Sequence, residues 1–230
     1  MYAVKIFTLY PEIFPGPFAG GIYGKAMSNG LWSLKTVNIR DYADDKHKTV
    51  DDTVFGGGSG MLMKPDIVAN SLDKNISKGE KIFYLSPKGK KFNQSFANSL
   101  SKQNGINLIC GHFEGVDDRL LSTRNIEEIS IGDYVLSGGE TAAFVILDAV
   151  LRLIPGVLGN KDSIKDETFE NSLLEYPQFT KPKIWEGKSV PEVLFSGDHA
   201  KIKSWRLSQS EDITRRQRPD LWEKYLKNKK

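Results

Sequence analysis

The chain has one cysteine in 230 residues, so no internal disulfide can form and a disulfide-stapled secreted scaffold is excluded. Cys110 closes the apolar run Ile106-Asn107-Leu108-Ile109 and reads as a buried strand residue rather than a nucleophile. The three histidines, His47, His112 and His199, lie in separate segments without the Cys or carboxylate spacing of a metal site, so no metal is expected. No apolar run reaches the roughly 18 residues that a membrane span requires. Residues 1–7 lack the basic, apolar and cleavage pattern of a secretory leader. A soluble cytoplasmic protein is the expectation. The common phosphate loops are missing too. Gly56-Gly57-Gly58-Ser59-Gly60 runs into Met61-Leu62, which leaves no P-loop lysine. Met61 also stands where a dinucleotide fingerprint needs its third glycine.

What the chain does have is glycine in clusters. Residues 131–140 read Ile-Gly-Asp-Tyr-Val-Leu-Ser-Gly-Gly-Glu, after a strand-like run at 126–131 and before an apolar helix expected over 141–153. Gly132, Gly138 and Gly139 let backbone approach a ligand with no side chain between. Ser137 and Glu140 have the three-residue spacing of a capping box. A strand end, a glycine-flanked loop and a helix start form a natural small-ligand pocket. A lone Gly-Gly pair would be a structural turn, but a ten-residue loop accompanied by others points to a cofactor site.

Strand-like runs at 2–9, 33–39, 81–85, 107–110 and 126–131 alternate with helical stretches near 24–29, 65–76, 92–103 and 116–121. That alternation predicts an α/β domain with a mostly parallel sheet. Ligands bind beyond the carboxyl ends of such strands. This groups three loops: Ser86-Pro87-Lys88-Gly89, Gly111-His112-Phe113-Glu114-Gly115 and 131–136. The helix over 141–153 is apolar nearly all round, so it is expected to be covered on every side, by a second subunit. Asp148 and Arg152 share a face at i,i+4. His112, between glycines, is expected to bond backbone. In the polar, glycine-rich stretch 40–63, Asp51-Asp52 suits a cation, a base edge or no ligand at all.

The net charge of +3 is unevenly spread: residues 199–230 hold 10 Lys/Arg against 4 Asp/Glu. A basic segment on a near-neutral domain suggests a polyanion partner, most often nucleic acid. A helix capped by Asp198 is expected to turn Ile202, Trp205 and Leu207 inward and Lys201, Lys203 and Arg206 outward. A second helix is expected from Pro219 to Leu226.

Together these residues resemble the bacterial tRNA guanine-N1 methyltransferases of the SPOUT superfamily. The motifs that carry the resemblance run in family order: Leu9-Tyr10-Pro11-Glu12, Arg40-Asp41-Tyr42, His47-Lys48-Thr49-Val50-Asp51-Asp52, Gly56-Gly57-Gly58-Ser59-Gly60-Met61, Tyr84-Leu85-Ser86-Pro87, Gly111-His112-Phe113-Glu114-Gly115, 131–140, 154–159 and Trp205-Arg206-Leu207-Ser208-Gln209-Ser210. The resemblance implies that the α/β domain, over 1–159, is trefoil-knotted; the polar residues after 159 read as a flexible linker over 160–169, and 170–230 as a helical, basic tRNA-binding domain. It implies an obligate homodimer with composite active sites. The reaction it implies is methyl transfer from S-adenosylmethionine to N1 of the guanosine 3′ of the anticodon, position 37 of tRNA.

The implied cofactor residues are Ser86, Pro87, Gly111, Glu114, Ile131, Gly132, Asp133, Tyr134, Val135, Leu136, Gly138 and Gly139. Asp51, Asp52, Gly57, Gly58, Lys201, Lys203, Arg206, Arg215, Arg216 and Arg218 fall on the tRNA side. The family usually carries Asp-Ser-Phe after the linker, with that Asp as general base. Here the stretch is Asp166-Glu167-Thr168-Phe169, which puts Glu167 in the Asp slot, Asp166 one residue earlier, and Arg152 as the charge-stabilising partner. The family's Arg-Thr-x-x-Arg-Arg-Pro is here Ile213-Thr214-Arg215-Arg216-Gln217-Arg218-Pro219. A SPOUT enzyme acting on ribosomal RNA and a noncatalytic RNA-binding homologue are the rival readings.

Overall fold

The computed structural model describes residues 1–57, 60–159 and 172–229. The chain divides into two compact units, Met1–Gly159 and Asn160–Lys230.

The first unit is built on five parallel strands: β1 (Tyr2–Thr8), β2 (Trp32–Asn38), β5 (Ile82–Lys91), β6 (Gly105–Ile109) and β7 (Ile126–Ser130). A small antiparallel hairpin, β3 (Asp51–Thr53) with β4 (Met61–Met63), stands apart from that sheet. The sheet order is β2-β1-β6-β5-β7, and every pairing is parallel. Period-two side chains feed two cores, one on each face. Val4, Ile6, Phe83, Ile106 and Leu108 face one side, which is covered by α1 (Gly21–Ser28), α3 (Gln94–Ser101) and α5 (Glu140–Leu151). Phe7, Val37, Ile82, Tyr84 and Ile109 face the other, under α2 (Pro65–Asp73) and α4 (Asp118–Thr123). The strand runs are apolar on both faces because both faces are covered.

One expectation is corrected here. Helix α5 opens at Glu140 with Gly139 at its N-cap and no side-chain cap bond, so Ser137 and Glu140 form no capping box. The Glu140 carboxylate is turned inward instead. Within one chain α5 is not covered on every side. Ile146, Leu147, Val150 and Leu151 are fully buried, while Thr141, Val145 and Asp148, at i, i+4 and i+7, form an open stripe in which Val145 is 46% exposed.

The second unit holds a two-residue-strand hairpin, β8 (Ile184–Trp185) with β9 (Lys188–Ser189), and the helices α6 (His199–Gln217) and α7 (Pro219–Asn228). Glu186 and Gly187 both take positive φ in the hairpin turn, the backbone form that two-residue turns require. Asp198 caps α6 as expected, accepting from the amides of Ala200 and Lys201 at 3.1 Å each. Leu207 faces out at 47% exposed, against expectation. The inward face runs through Ile202, Trp205, Gln209 and Ser210, at near-helical spacing, and 207 falls off it. Among the described residues no helix is long and apolar enough to cross a membrane.

Candidate active site

The loops after β6 and β7 and the bulged second half of β5 meet at one edge of the sheet. The pairing of β5 with β7 slips between Leu85 and Lys90, because Ser86-Pro87-Lys88-Gly89 arches away from the ladder. Together the three loops enclose a cavity of about 320 Å³. Its position fits the rule for parallel sheets, because β6 is inserted between β1 and β5 and the chain doubles back across that point.

Of the residues the sequence assigned to the cofactor, Ser86, Pro87, Gly111, Glu114, Ile131, Gly132, Tyr134, Val135, Leu136, Gly138 and Gly139 all line this cavity. Asp133 does not. Its carboxylate is 90% exposed and reaches Lys91 at 3.8 Å. Arg152 sits at the opposite end of α5, whose 12 residues span about 18 Å. Asp51 and Asp52 lie on β3, and Gly57 lies in the turn toward β4. Asp166, Glu167 and Gly58 lie outside the described residues, as does the 160–169 linker.

The glycines are required by close packing. A Cβ on Gly111 would stand 2.6 Å from the Tyr84 hydroxyl, and one on Gly139 2.6 Å from the Cys110 backbone. A Cβ on Gly138 would meet the His112 ring and stand 2.7 Å from Glu140 Oε2. The Gly139 amide donates to the Gly111 carbonyl at 3.0 Å, which joins two of the loops directly. The hairpin is tied in as well: the Glu114 amide donates to the Met61 carbonyl and the Met63 amide to the Gly115 carbonyl, each at 2.9 Å. Gly60, at φ +118°, packs its Cα against the Glu114 side chain. The glycine-rich loop on the expected tRNA side therefore abuts the loop on the expected cofactor side.

A polar brace behind the cavity is absent from the sequence reading. Glu140 Oε1 accepts from the buried Thr8 hydroxyl at 2.5 Å, and Glu140 Oε2 lies 2.8 Å from His112 Nε2. His112 thus bonds a carboxylate, not backbone as expected. Tyr10 packs edge-on against its ring, 4.9 Å between centroids. Burial, and then the Glu140 charge, push the Cys110 thiol well above its ordinary pKa, so it is no nucleophile. Tyr84 was also missed, although its place at the carboxyl end of a strand is a readable signal. Burial raises its pKa, and its ring supports Gly111 and Gly115.

The charged lining is acidic: Glu114, Asp118 and Glu128 against Lys88. It suits a ligand that carries positive charge.

The chain matches the family model described as tRNA (Guanine-1)-methyltransferase TrmD over residues 2–224. It belongs to that family, and with it to the SPOUT superfamily. A relative from Pelagibacter ubique (strain HTCC1062), named tRNA (guanine-N(1)-)-methyltransferase, is 72% identical over 228 residues, 99% of this chain and 100% of the relative. One of the same name from Brucella canis is 52% identical over 229 residues, 100% of this chain and 93% of the relative. Members of this methyltransferase family need a methyl donor.

In the second unit the expected tRNA-binding cations are largely engaged with nearby carboxylates. Lys201 pairs with Asp198 at 3.2 Å, Arg215 and Arg216 with Asp212 at 3.0 and 3.1 Å, and Arg218 with Asp220 at 2.6 Å. Lys203 is exposed, and Arg206 lies against the Tyr176 ring.

Proposed function

We propose that this protein transfers a methyl group from S-adenosylmethionine to N1 of the guanosine at position 37 of tRNA, immediately 3′ of the anticodon. The observation that carries this reading is the glycine-walled, acid-edged cavity at the sheet's carboxyl edge, in a chain that matches the family model over residues 2–224. The full-length relatives named for tRNA favour it over the ribosomal-RNA and noncatalytic readings.

The residues present fit the donor. Gly111, Gly138 and Gly139 have no room for a Cβ, so their backbone forms the wall. Glu114, Asp118 and Glu128 give an electrostatic match to its sulfonium and ammonium charges. When bound, S-adenosylmethionine supplies a methyl group on a positively charged sulfur, ready for displacement by nitrogen. Ser86, Pro87, Ile131, Tyr134, Val135 and Leu136 enclose it and exclude water. Asp51, Asp52 and Gly57, on or beside the β3–β4 hairpin, meet the tRNA, and so does Gly58. Guanine N1 carries a proton at neutral pH and must lose it as the N–C bond forms. Glu167 is the carboxylate that accepts this proton, and Arg152 stabilises the charge developing on O6.

A second copy of the chain covers the open stripe of α5. Arg152 stands about 18 Å from its own chain's glycine wall, so it serves the partner's site. The first unit is the trefoil-knotted catalytic domain, and the second docks the tRNA backbone through Lys201, Lys203, Arg206, Arg215, Arg216 and Arg218. The enzyme acts in the cytoplasm. Incubation with S-adenosylmethionine and unmodified tRNA, followed by nucleoside analysis, should yield 1-methylguanosine at position 37, and no product refutes the reading. Sedimentation should give a dimer; an active monomer refutes the composite site.

A further inference from the structure

The second unit contains its own cavity, of about 480 Å³. Small-ligand pockets span about 300–1,000 Å³, so one nucleotide fits. Its chemistry is the reverse of the first cavity's. Lys181, Lys183 and Arg206 line it, and no Asp or Glu does. None of the three forms an ion pair among the described residues, whereas Lys201, Arg215, Arg216 and Arg218 all do. Two of the cations rest on rings instead. Lys183 Nζ is 4.5 Å from the Phe195 centroid, and the Arg206 guanidinium carbon is 4.7 Å from that of Tyr176.

Arg206 Nε is buried and has no hydrogen-bond partner among the described residues. A buried N–H on a charged group is rarely left unmade, so the Arg206 guanidinium is not fully satisfied among the described residues. Beside it, Phe179 packs on Trp205 with ring centroids 6.3 Å apart, and Phe179 is still 46% exposed. An open aromatic face next to uncompensated cations is the arrangement that holds single-stranded nucleic acid, with the base on the ring and the phosphate on the cations. Arginine's planar fork suits a phosphate in particular.

We propose that this cavity is a nucleotide subsite. An unpaired nucleotide of the tRNA stacks its base on Phe179, and Arg206, with Lys181 and Lys183, holds the adjoining phosphate. The proposal rests on the reading that the second unit binds tRNA. It adds that one nucleotide is held individually there, apart from the methylated guanosine.

The test uses the full chain and an unmodified tRNA transcript carrying G37, with affinity measured by fluorescence anisotropy over a range of salt. Phe179→Ala should weaken binding about tenfold with the salt slope unchanged, because a lost stack releases no counterion. Phe179→Trp should restore it. Arg206→Gln should weaken binding and lower the salt slope by about one. Calorimetric affinity for S-adenosylmethionine should stay at the wild-type value in all three, which separates loss of a contact from loss of the fold. Wild-type tRNA affinity in both Phe179→Ala and Arg206→Gln overturns the subsite. So does failure of Phe179→Trp to recover what alanine loses. A joint Lys201→Gln, Lys203→Gln, Arg215→Gln and Arg216→Gln variant tests the underlying reading. If it binds tRNA with unchanged affinity and salt slope, the second unit is no tRNA platform and both proposals fall. If it weakens binding while the Phe179 and Arg206 variants do not, only the subsite falls.

Discussion

Glu140→Ala should lower the melting temperature of the first unit by several degrees and weaken donor binding at the same time. Glu140 is 6% exposed and Thr8 is fully buried. Alanine leaves the Thr8 hydroxyl and His112 Nε2 without their acceptor, since those bonds run at 2.5 and 2.8 Å to the same carboxylate. A buried group left unmade costs about 1–3 kcal/mol; Thr8 takes the upper end, and His112, half-buried and lining the cavity, about 1 kcal/mol, so the pair costs about 4 kcal/mol. The carboxylate's favourable place in the first turn of α5 adds about 0.3–1 kcal/mol. The gain in helix propensity from alanine is a few tenths of a kcal/mol and does not offset this. For a unit of this size each kcal/mol shifts the transition by about 2–4 °C, which gives a drop of about 8–16 °C. Glu140→Gln keeps an acceptor for Thr8 and should lose about half as much. Differential scanning calorimetry without ligand reads the first quantity, and titration with S-adenosylmethionine reads the second. A Glu140→Ala transition within about 1 °C of wild type, at the precision such shifts allow, would show that the brace holds nothing.

The two glycine walls should respond differently. A Cβ at Gly139 meets the Cys110 backbone at 2.6 Å, whereas one at Gly132 meets the half-exposed Tyr134 ring, which can swing away, and adds only the local strain of a side chain at φ +155°. Gly139→Ala should therefore abolish S-adenosylmethionine binding in calorimetry, and Gly132→Ala should weaken it only severalfold; equal affinities contradict the packing argument. Glu167→Gln should slow single-turnover methylation by about a hundredfold or more, the usual contribution of a general base. Full rate in that variant together with loss in Asp166→Asn would move the base one residue earlier. In the second unit the Arg218 guanidinium, hydrogen-bonded to Asp220, holds that carboxyl at about 2. The folded value lies below the unfolded one, so the stability it brings is present above the ordinary carboxylate range of about 3.9 and is lost as pH falls toward about 2. An NMR titration should show that low midpoint and its return toward about 3.9 in Arg218→Gln; a wild-type midpoint near about 3.9 would rule out the pair in solution.

The sheet was legible because its strands are short apolar runs bounded by Gly and Pro, and the five expected strands all appear within a few residues. The exception is β5, which resumes pairing with β7 after the arch and so extends to Lys91. Helix starts moved where a tertiary contact competes. Val116 bridges to Met63 and Asp117 caps, so α4 begins at Asp118. The β3–β4 hairpin was invisible. Its strands are three residues each, and it is held by backbone bonds to the 114–117 loop that no side-chain pattern records.

The three candidate loops could be grouped from sequence because a parallel sheet delivers its strand ends to one edge. The brace behind them could not. Ser-x-x-Glu before a helix is the pattern of a capping box whether or not the glutamate turns inward. What turns Glu140 inward is a hydroxyl 132 positions away and a ring 28 positions away, brought together only when β1, β6 and α5 converge. The same reasoning applies to Arg152. The sequence places it on an apolar helix, and the fold puts it a helix length from the glycine wall. Within one chain that separation has no catalytic use. Its use arises if the stripe of Thr141, Val145 and Asp148 meets a second copy, so that an interface, not a loop, completes the site. The local pattern thus marks the cavity wall, and the groups that brace it come from contacts distant in sequence.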